Sequence, residues 1–172
     1  PLYYNYERIG RPAKKNEVLL NDIPLEAKQS SLGNTSYYLD AGFDALFDFG
    51  YGLSYTTFEY SDLVLSKYTL TKDETLQVSV ILKNTGSHEG CEVVQLYTAD
   101  VAASASPLVK ELKGFKRIIL KPGEQKKVIF ELPIEKLAFW NTQMEKVVEP
   151  GKFEIMIGGN SVDLLKSSFV VN

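Results

Sequence analysis

The chain reads as all-β: an immunoglobulin-like sandwich of about seven strands behind an extended, mostly irregular N-terminal strap. Three observations predict this. Short apolar runs alternate with polar residues at a period of two from about Phe58 onward. Turn signals separate them, notably Asn84-Thr85-Gly86 and Lys121-Pro122-Gly123-Glu124. No stretch holds a 3.6-residue apolar stripe for more than two turns.

The strap comes first. RIGRPAKKNE and KQSSLGNTS have few apolar residues at any regular period and cannot bury a core. Eight of the ten tyrosines lie in the first 60 residues, and tyrosine, with its apolar body and wet tip, suits interfaces. Phe49, Tyr51, Leu53 and Tyr55 alternate with Gly50, Gly52, Ser54 and Thr56. An extended segment of this kind has one aromatic face and one nearly bare face, and two glycines on the bare face suggest close approach to another backbone. After Thr56 the phase slips, with Phe58 and Tyr60 in step and then Leu63 and Leu65, which reads as a bend between structural units.

The strands follow. Leu76, Val78, Val80 and Leu82 alternate up to Asn84. In Glu92–Thr98, Val94 and Leu96 share one face, Val93 and Tyr97 the other. Leu112–Leu120 is a third strand, interrupted at Gly114. Lys121–Glu124 suits a type II turn and leads to Val128, Phe130 and Leu132. Pro133–Lys136 can start one helical turn, and Leu137–Asn141 is an apolar island. Glu149–Lys152 repeats the turn chemistry before Phe153, Ile155 and Ile157, and Ser168–Val171 closes the chain. An up-and-down barrel is the rival fold. Uneven strand spacing and the long Asp100–Leu108 connection favour a sandwich with crossovers.

Composition excludes several classes of function. A net charge of −3 lacks the basic excess that nucleic acid or an anionic membrane demands, and no apolar run approaches the roughly 20 residues of a membrane span. One cysteine, Cys91, rules out an internal disulfide and a cysteine-based zinc site; its neighbours Glu92, Val93 and Val94 suggest a small buried hydrophobe. No cofactor or metal is expected. Asp40, Asp44 and Asp48 stand four apart, but read as loop carboxylates or partners for another domain. His88 follows a turn and is expected to face solvent, with no nucleophile motif beside it. Gly158-Gly159 ends a strand instead of opening a helix, so it is no phosphate cradle. Asn34-Thr35-Ser36 fits a glycosylation sequon, a pattern frequent by chance. The basic run Lys110–Arg117 reads as a strand with one wet face through Leu112 and Phe115. Trp140 is the one candidate sugar contact, since tryptophan faces stack on carbohydrate, although a core or interface tryptophan beside Leu137 and Phe139 is the stronger reading.

FGYGLSYTTFEYSDL (Phe49–Leu63), NTGSHEG (Asn84–Gly90), VKELKGF (Val109–Phe115), LKPGE (Leu120–Glu124) and EPGKFEIMIG (Glu149–Gly158) stand in this order. Together they resemble the C-terminal end of family 3 glycoside hydrolases, over almost the whole chain. The resemblance implies that residues 59–172 are a fibronectin type III-like sandwich. Residues 1–58 would then be the end of an α/β domain and an aromatic-rich linker. The implied partners are the upstream barrel and α/β domains, with Tyr3, Tyr4, Phe49, Tyr51 and Tyr55 as the interdomain docking residues, and the parent's oligosaccharide substrate. The implied parent is a retaining β-glucosidase-type enzyme, periplasmic or secreted, whose two catalytic carboxyl groups lie upstream. No position here matches their motifs, so this portion is expected to be an inactive scaffold. Two departures stand out: Pro107-Leu108 replaces a usual Arg-Pro pair, and Tyr37 a usual arginine. The isolated fragment is expected to expose an apolar patch and to self-associate, or to be partly disordered between Lys14 and Asn34. The alternative is a free-standing immunoglobulin-like module for carbohydrate binding or adhesion.

Overall fold

The computed structural model describes residues 25–26, 45–104 and 108–172. In chain order the strands are β1 (Phe58–Leu65), β2 (Thr69–Leu70), β3 (Thr75–Asn84), β4 (Gly90–Asp100), β5 (Glu111–Leu120) and β6 (Gln125–Pro133). A 3₁₀ turn at Ile134–Leu137 leads to β7 (Phe139–Trp140), β8 (Lys146–Val147), β9 (Gly151–Gly158) and β10 (Leu165–Val171). One sheet has the order β1-β3-β6 and the other β2-β10-β9-β4-β5, with β7-β8 a separate ribbon. All pairs are antiparallel except β10 with β2. The seven strands other than β2, β7 and β8 build the two faces of a sandwich, as the alternation implied.

The core lies between the sheets and follows the period of two. Leu76, Val78, Val80 and Leu82 of β3 are fully buried, and Val78 and Val80 pair with Phe130 and Val128 of β6. From the facing sheet come Val94, Leu96, Phe153, Ile155, Ile157, Phe169 and Val171. Phe153 and Phe169 pair in register with ring centroids 5.6 Å apart at 20°, an offset stack within the favourable range.

Local irregularities carry the departures from the expected pattern. β1 begins just beyond the phase slip at Thr56, and the further change of step between Tyr60 and Leu63 is a β-bulge inside it: Asp62 has a φ of 53°, and the register jumps between Ser61 and Val64. The interruption expected at Gly114 is also a bulge. Gly114 pairs with Leu96 and Leu112 with Tyr97, leaving Lys113 extra and placing Leu112 and Phe115 on the same face. Lys121–Glu124 is a tight turn, with Glu124 N–H donating to the Lys121 carbonyl and Gly123 at a φ of 75°. Glu149–Lys152 does not repeat it. Gly151 already begins β9 with no positive φ, and the sharp reversal lies earlier, at Asn141–Glu145, where Met144 has a φ of 62°. Asn141 Oδ1 accepts from the Gln143 and Glu145 amides and so holds that reversal.

Candidate functional site

Chemistry concentrates where the strap meets the sandwich. The first contact is a clamp on Thr56. The fully buried Asn84 accepts from the Thr56 hydroxyl at 2.6 Å and the Gly86 amide at 3.0 Å through Oδ1. Its Nδ2 donates to the carbonyls of His88 at 2.7 Å and Leu120 at 3.0 Å. Its backbone pairs with Glu124 and Gly123. Every polar atom of this residue has a partner, as burial requires. Gly86 must be glycine because a Cβ there would sit 2.3 Å from Thr56 Oγ1 and 2.8 Å from the Thr57 amide nitrogen. The Asn84–Gly90 motif is therefore a socket for the chain that enters β1.

The second contact covers the outer face of the five-stranded sheet. Alternation puts Gln95 and Tyr97 with Val93 on that outer face, yet both are buried. Tyr97 and its neighbour Met156 are buried hydrophobics that do not belong to the inter-sheet core. The strap reaches this face through Gln95 and Ser161. Gln95 Nε2 donates to the carbonyls of Gly159 at 2.5 Å and Gly50 at 3.4 Å, and Tyr97 donates to Gln95 Oε1 at 2.5 Å. Ser161 N–H donates to the Phe49 carbonyl at 2.9 Å, and Lys110 Nζ donates to the Ser161 carbonyl. Burial, then the nearby Lys166, pulls the Lys110 pKa down, while Asp48 pushes it back up. Asp48 is thus a charge partner for the sandwich; Asp40 and Asp44 lie outside the described residues.

The backbone is anchored, while much of the side-chain surface faces solvent. Phe49 and Tyr51 are half exposed at 46% and 50%, and Leu53 and Tyr55 are almost fully exposed at 89% and 96%. Residues 49–57 form no strand, and a turn at 48–51 brings the Phe47 and Tyr51 rings to 5.3 Å. The glycines do not approach another backbone as expected. Gly50, at a φ of 80°, faces the Gln95 amide, and Gly52 faces open space. Tyr3 and Tyr4 lie outside the described residues, as do the Lys14–Asn34 segment apart from residues 25–26, and Tyr37, Pro107 and the Asn34 sequon.

Between the sheets, Tyr60 of β1 donates to Glu92 Oε1 of β4 at 2.7 Å. Burial raises the Glu92 pKa above its ordinary 4.5, only partly offset by this bond, and burial first, then Glu92, also raises the Tyr60 pKa. A carboxyl whose folded pKa is raised stabilises the fold fully below its unfolded value. That contribution is lost as pH climbs through the folded value. Glu74 and Glu124, with lowered pKa values, act oppositely and lose their contributions below about 4.5. The melting temperature of Glu92→Gln, relative to wild type, is therefore expected to rise as pH climbs above 4.5. A pH-independent difference would refute the assignment.

Trp140 is 62% exposed and so is not a core residue. It stands at a groove of about 310 Å³ that is also lined by Asp100, Ala103 and Leu108 of the long connection. Two features singled out separately in the sequence are thus neighbours. His88 is exposed, its Nδ1 3.1 Å from Ser87 Oγ. Cys91 is only half-buried, because its odd position puts it on the outer face, where Arg117 Nε donates to Sγ at 2.8 Å. Among the described residues no cluster of metal-ligating side chains occurs, and no helix is long and apolar enough to cross a membrane. Sequence reasoning missed Gln95. Its signal was a glutamine inside the apolar run Val93–Tyr97.

Comparison with known proteins gives this geometry a family. A model described as a fibronectin type III-like domain matches residues 92–161. The chain is 45% identical over 172 residues to the "Periplasmic beta-glucosidase" of Salmonella typhimurium, covering 98% of this chain and 20% of that protein. It is 44% identical over 153 residues to "Thermostable beta-glucosidase B" of Acetivibrio thermocellus, covering 88% of this chain and 20% of that protein. The crystal structure of a β-glucosidase from Listeria innocua with gluconolactone superposes with a TM-score of 0.80 at 39% identity, covering 99% of this chain and 22% of that one. The chain therefore spans about a fifth of the length of these relatives, and nothing among them favours a free-standing module. Over nearly its whole length the chain matches the C-terminal portion of family 3 glycoside hydrolases, and it contains a fibronectin type III-like domain.

Proposed function

We propose that this chain is the non-catalytic, C-terminal scaffold of a retaining β-glucosidase-type hydrolase that removes terminal β-linked glucosyl residues. Residues 1–58 are the end of an α/β domain and a linker strap, and residues 59–172 are the sandwich. One observation carries the reading. The strap is hydrogen-bonded to the sandwich through its backbone at Phe49 and Gly50 while Phe49, Tyr51, Leu53 and Tyr55 project outward, an arrangement that suits neighbouring domains closing over them. Retaining hydrolysis needs two carboxyl groups about 5–5.5 Å apart in an enclosed site. The acidic groups with shifted pKa values here are committed elsewhere: Glu92 to Tyr60, Glu74 to Lys67 and Thr71, and Glu124 to the Lys121 amide. Upstream barrel and α/β domains supply the catalytic pair and the oligosaccharide site, and the whole protein is exported to the periplasm or medium, in keeping with the name of the Salmonella relative.

The test uses the 172-residue chain. Aryl β-glucoside hydrolysis is expected at the buffer rate, and sedimentation is expected to show self-association that weakens when Phe49, Tyr51 and Tyr55 become serine. Hydrolysis above buffer would overturn the scaffold assignment, and a monomer at all concentrations would remove the docking role of the rings.

A further inference from the structure

We propose that the groove beside Trp140 is a subsite for a neutral saccharide. Its volume, about 310 Å³, falls at the lower end of the roughly 300–1,000 Å³ of small-ligand clefts. The lining is of mixed character. Phe139 and Trp140 form an aromatic lip, and Thr98, Asp100 and Glu111 supply oxygen atoms.

Three features point to a ligand. Thr98 is 3% exposed, yet its hydroxyl has no hydrogen-bond partner among the described residues, a costly condition for a buried polar group. Asp100 uses Oδ1 for the Ala102 amide and Glu111 uses Oε2 for Lys113, leaving one oxygen of each carboxylate without a hydrogen bond among the described residues. The walls are held in place before any ligand arrives. Glu149 accepts from the Ser104 amide at 2.9 Å and from its hydroxyl at 2.5 Å, Val101 N–H donates to the Lys152 carbonyl, and the Asn141 turn fixes the β7–β8 ribbon that carries Trp140. Preorganisation of this kind lowers the ordering cost of binding.

The chemistry selects the ligand class. Spare carboxylate oxygens accept hydrogen bonds from hydroxyl groups, the Thr98 hydroxyl both donates and accepts, and a pyranose presents an apolar C–H face to a tryptophan ring. No basic side chain lines the groove, so an anionic sugar or phosphate finds no counter-charge. A cationic ligand is the weaker match, because Lys113 already neutralises Glu111 and a single exposed ring is not a cage. The inference does not depend on the hydrolase reading, since the groove is made wholly of residues in this chain.

Trp140 is the sole tryptophan, so its emission reports on this groove alone. The 172-residue chain would be titrated with cellobiose, laminaribiose and xylobiose, by fluorescence and by calorimetry, with choline as the cationic probe. Saturable binding to at least one disaccharide is expected, with Kd near about 1 mM, the weak regime of a small open site. Calorimetry should show at least tenfold weaker binding in Trp140→Ala and severalfold weaker binding in Thr98→Val, with far-UV circular dichroism confirming that both are folded. Absence of any disaccharide response, binding unchanged in both variants, or saturation by choline alone would each overturn the proposal.

Discussion

Replacing Asn84 with alanine is expected to lower the stability of the sandwich by about 3–4 kcal/mol. The substitution deletes four side-chain hydrogen bonds and leaves the Thr56 hydroxyl, the Gly86 amide and the His88 and Leu120 carbonyls short of a partner. Each stranded buried group costs about 1–3 kcal/mol, and partial water access at His88 and Gly86 keeps the total below the full sum. The loss also propagates, since Thr56 is the point at which the strap becomes β1. Equilibrium denaturation in urea measures it. Asn84→Asp keeps the two acceptor contacts but sets a buried carboxylate oxygen against the His88 and Leu120 carbonyls, so at neutral pH its midpoint should fall at or below that of Asn84→Ala. If both variants unfold within about 0.5 kcal/mol of wild type, the range of a neutral surface change, the socket is not what fixes this end of the fold.

Gln95→Leu should have the second largest effect, roughly 2–3 kcal/mol. Its volume suits the site, so the loss is chiefly polar. The Gly159 and Gly50 carbonyls lose their donor, and the Tyr97 hydroxyl loses an acceptor. The change also loosens a named segment. Amide exchange at Ser161, protected by the Phe49 carbonyl, should accelerate well beyond the global change, because the strap can then lift while the sandwich stays folded. Uniform acceleration at Ser161 and at core amides such as that of Ile155 would mean that Gln95 supports the sandwich generally and does not tie down the strap.

The strands were readable because each states its burial locally. Leu76 to Leu82, Val128 to Leu132 and Phe153 to Ile157 each carry a large apolar residue at every second position and bury that face, although Ile81, Ile129 and Met156 break the polar side of the pattern. Irregular backbone was readable only as disturbance. The change of step between Tyr60 and Leu63 and the glycine at position 114 both mark bulges, but a one-residue shift in sequence does not say whether the chain bulges, bends or leaves the sheet. The strap contacts were hidden for a different reason. Val93 and Tyr97 occupy equivalent places in the alternation of β4, yet one is 40% exposed and the other fully buried. Which of them is covered depends on where residues some 45 positions earlier come to rest, and no local pattern encodes that. The Trp140 groove was half readable: the ring and the long connection drew notice singly, and only the fold makes them adjacent.

The order of the strands has a consequence for biosynthesis. β4 finds β5 at once as a hairpin neighbour, but its other edge waits for β9, since Leu96 pairs with Ile157 about 60 residues later. At translation rates of about 5–20 residues per second, the nascent polypeptide carries that open ladder, with Val94 and Leu96 beside it, for several seconds as it leaves the ribosome.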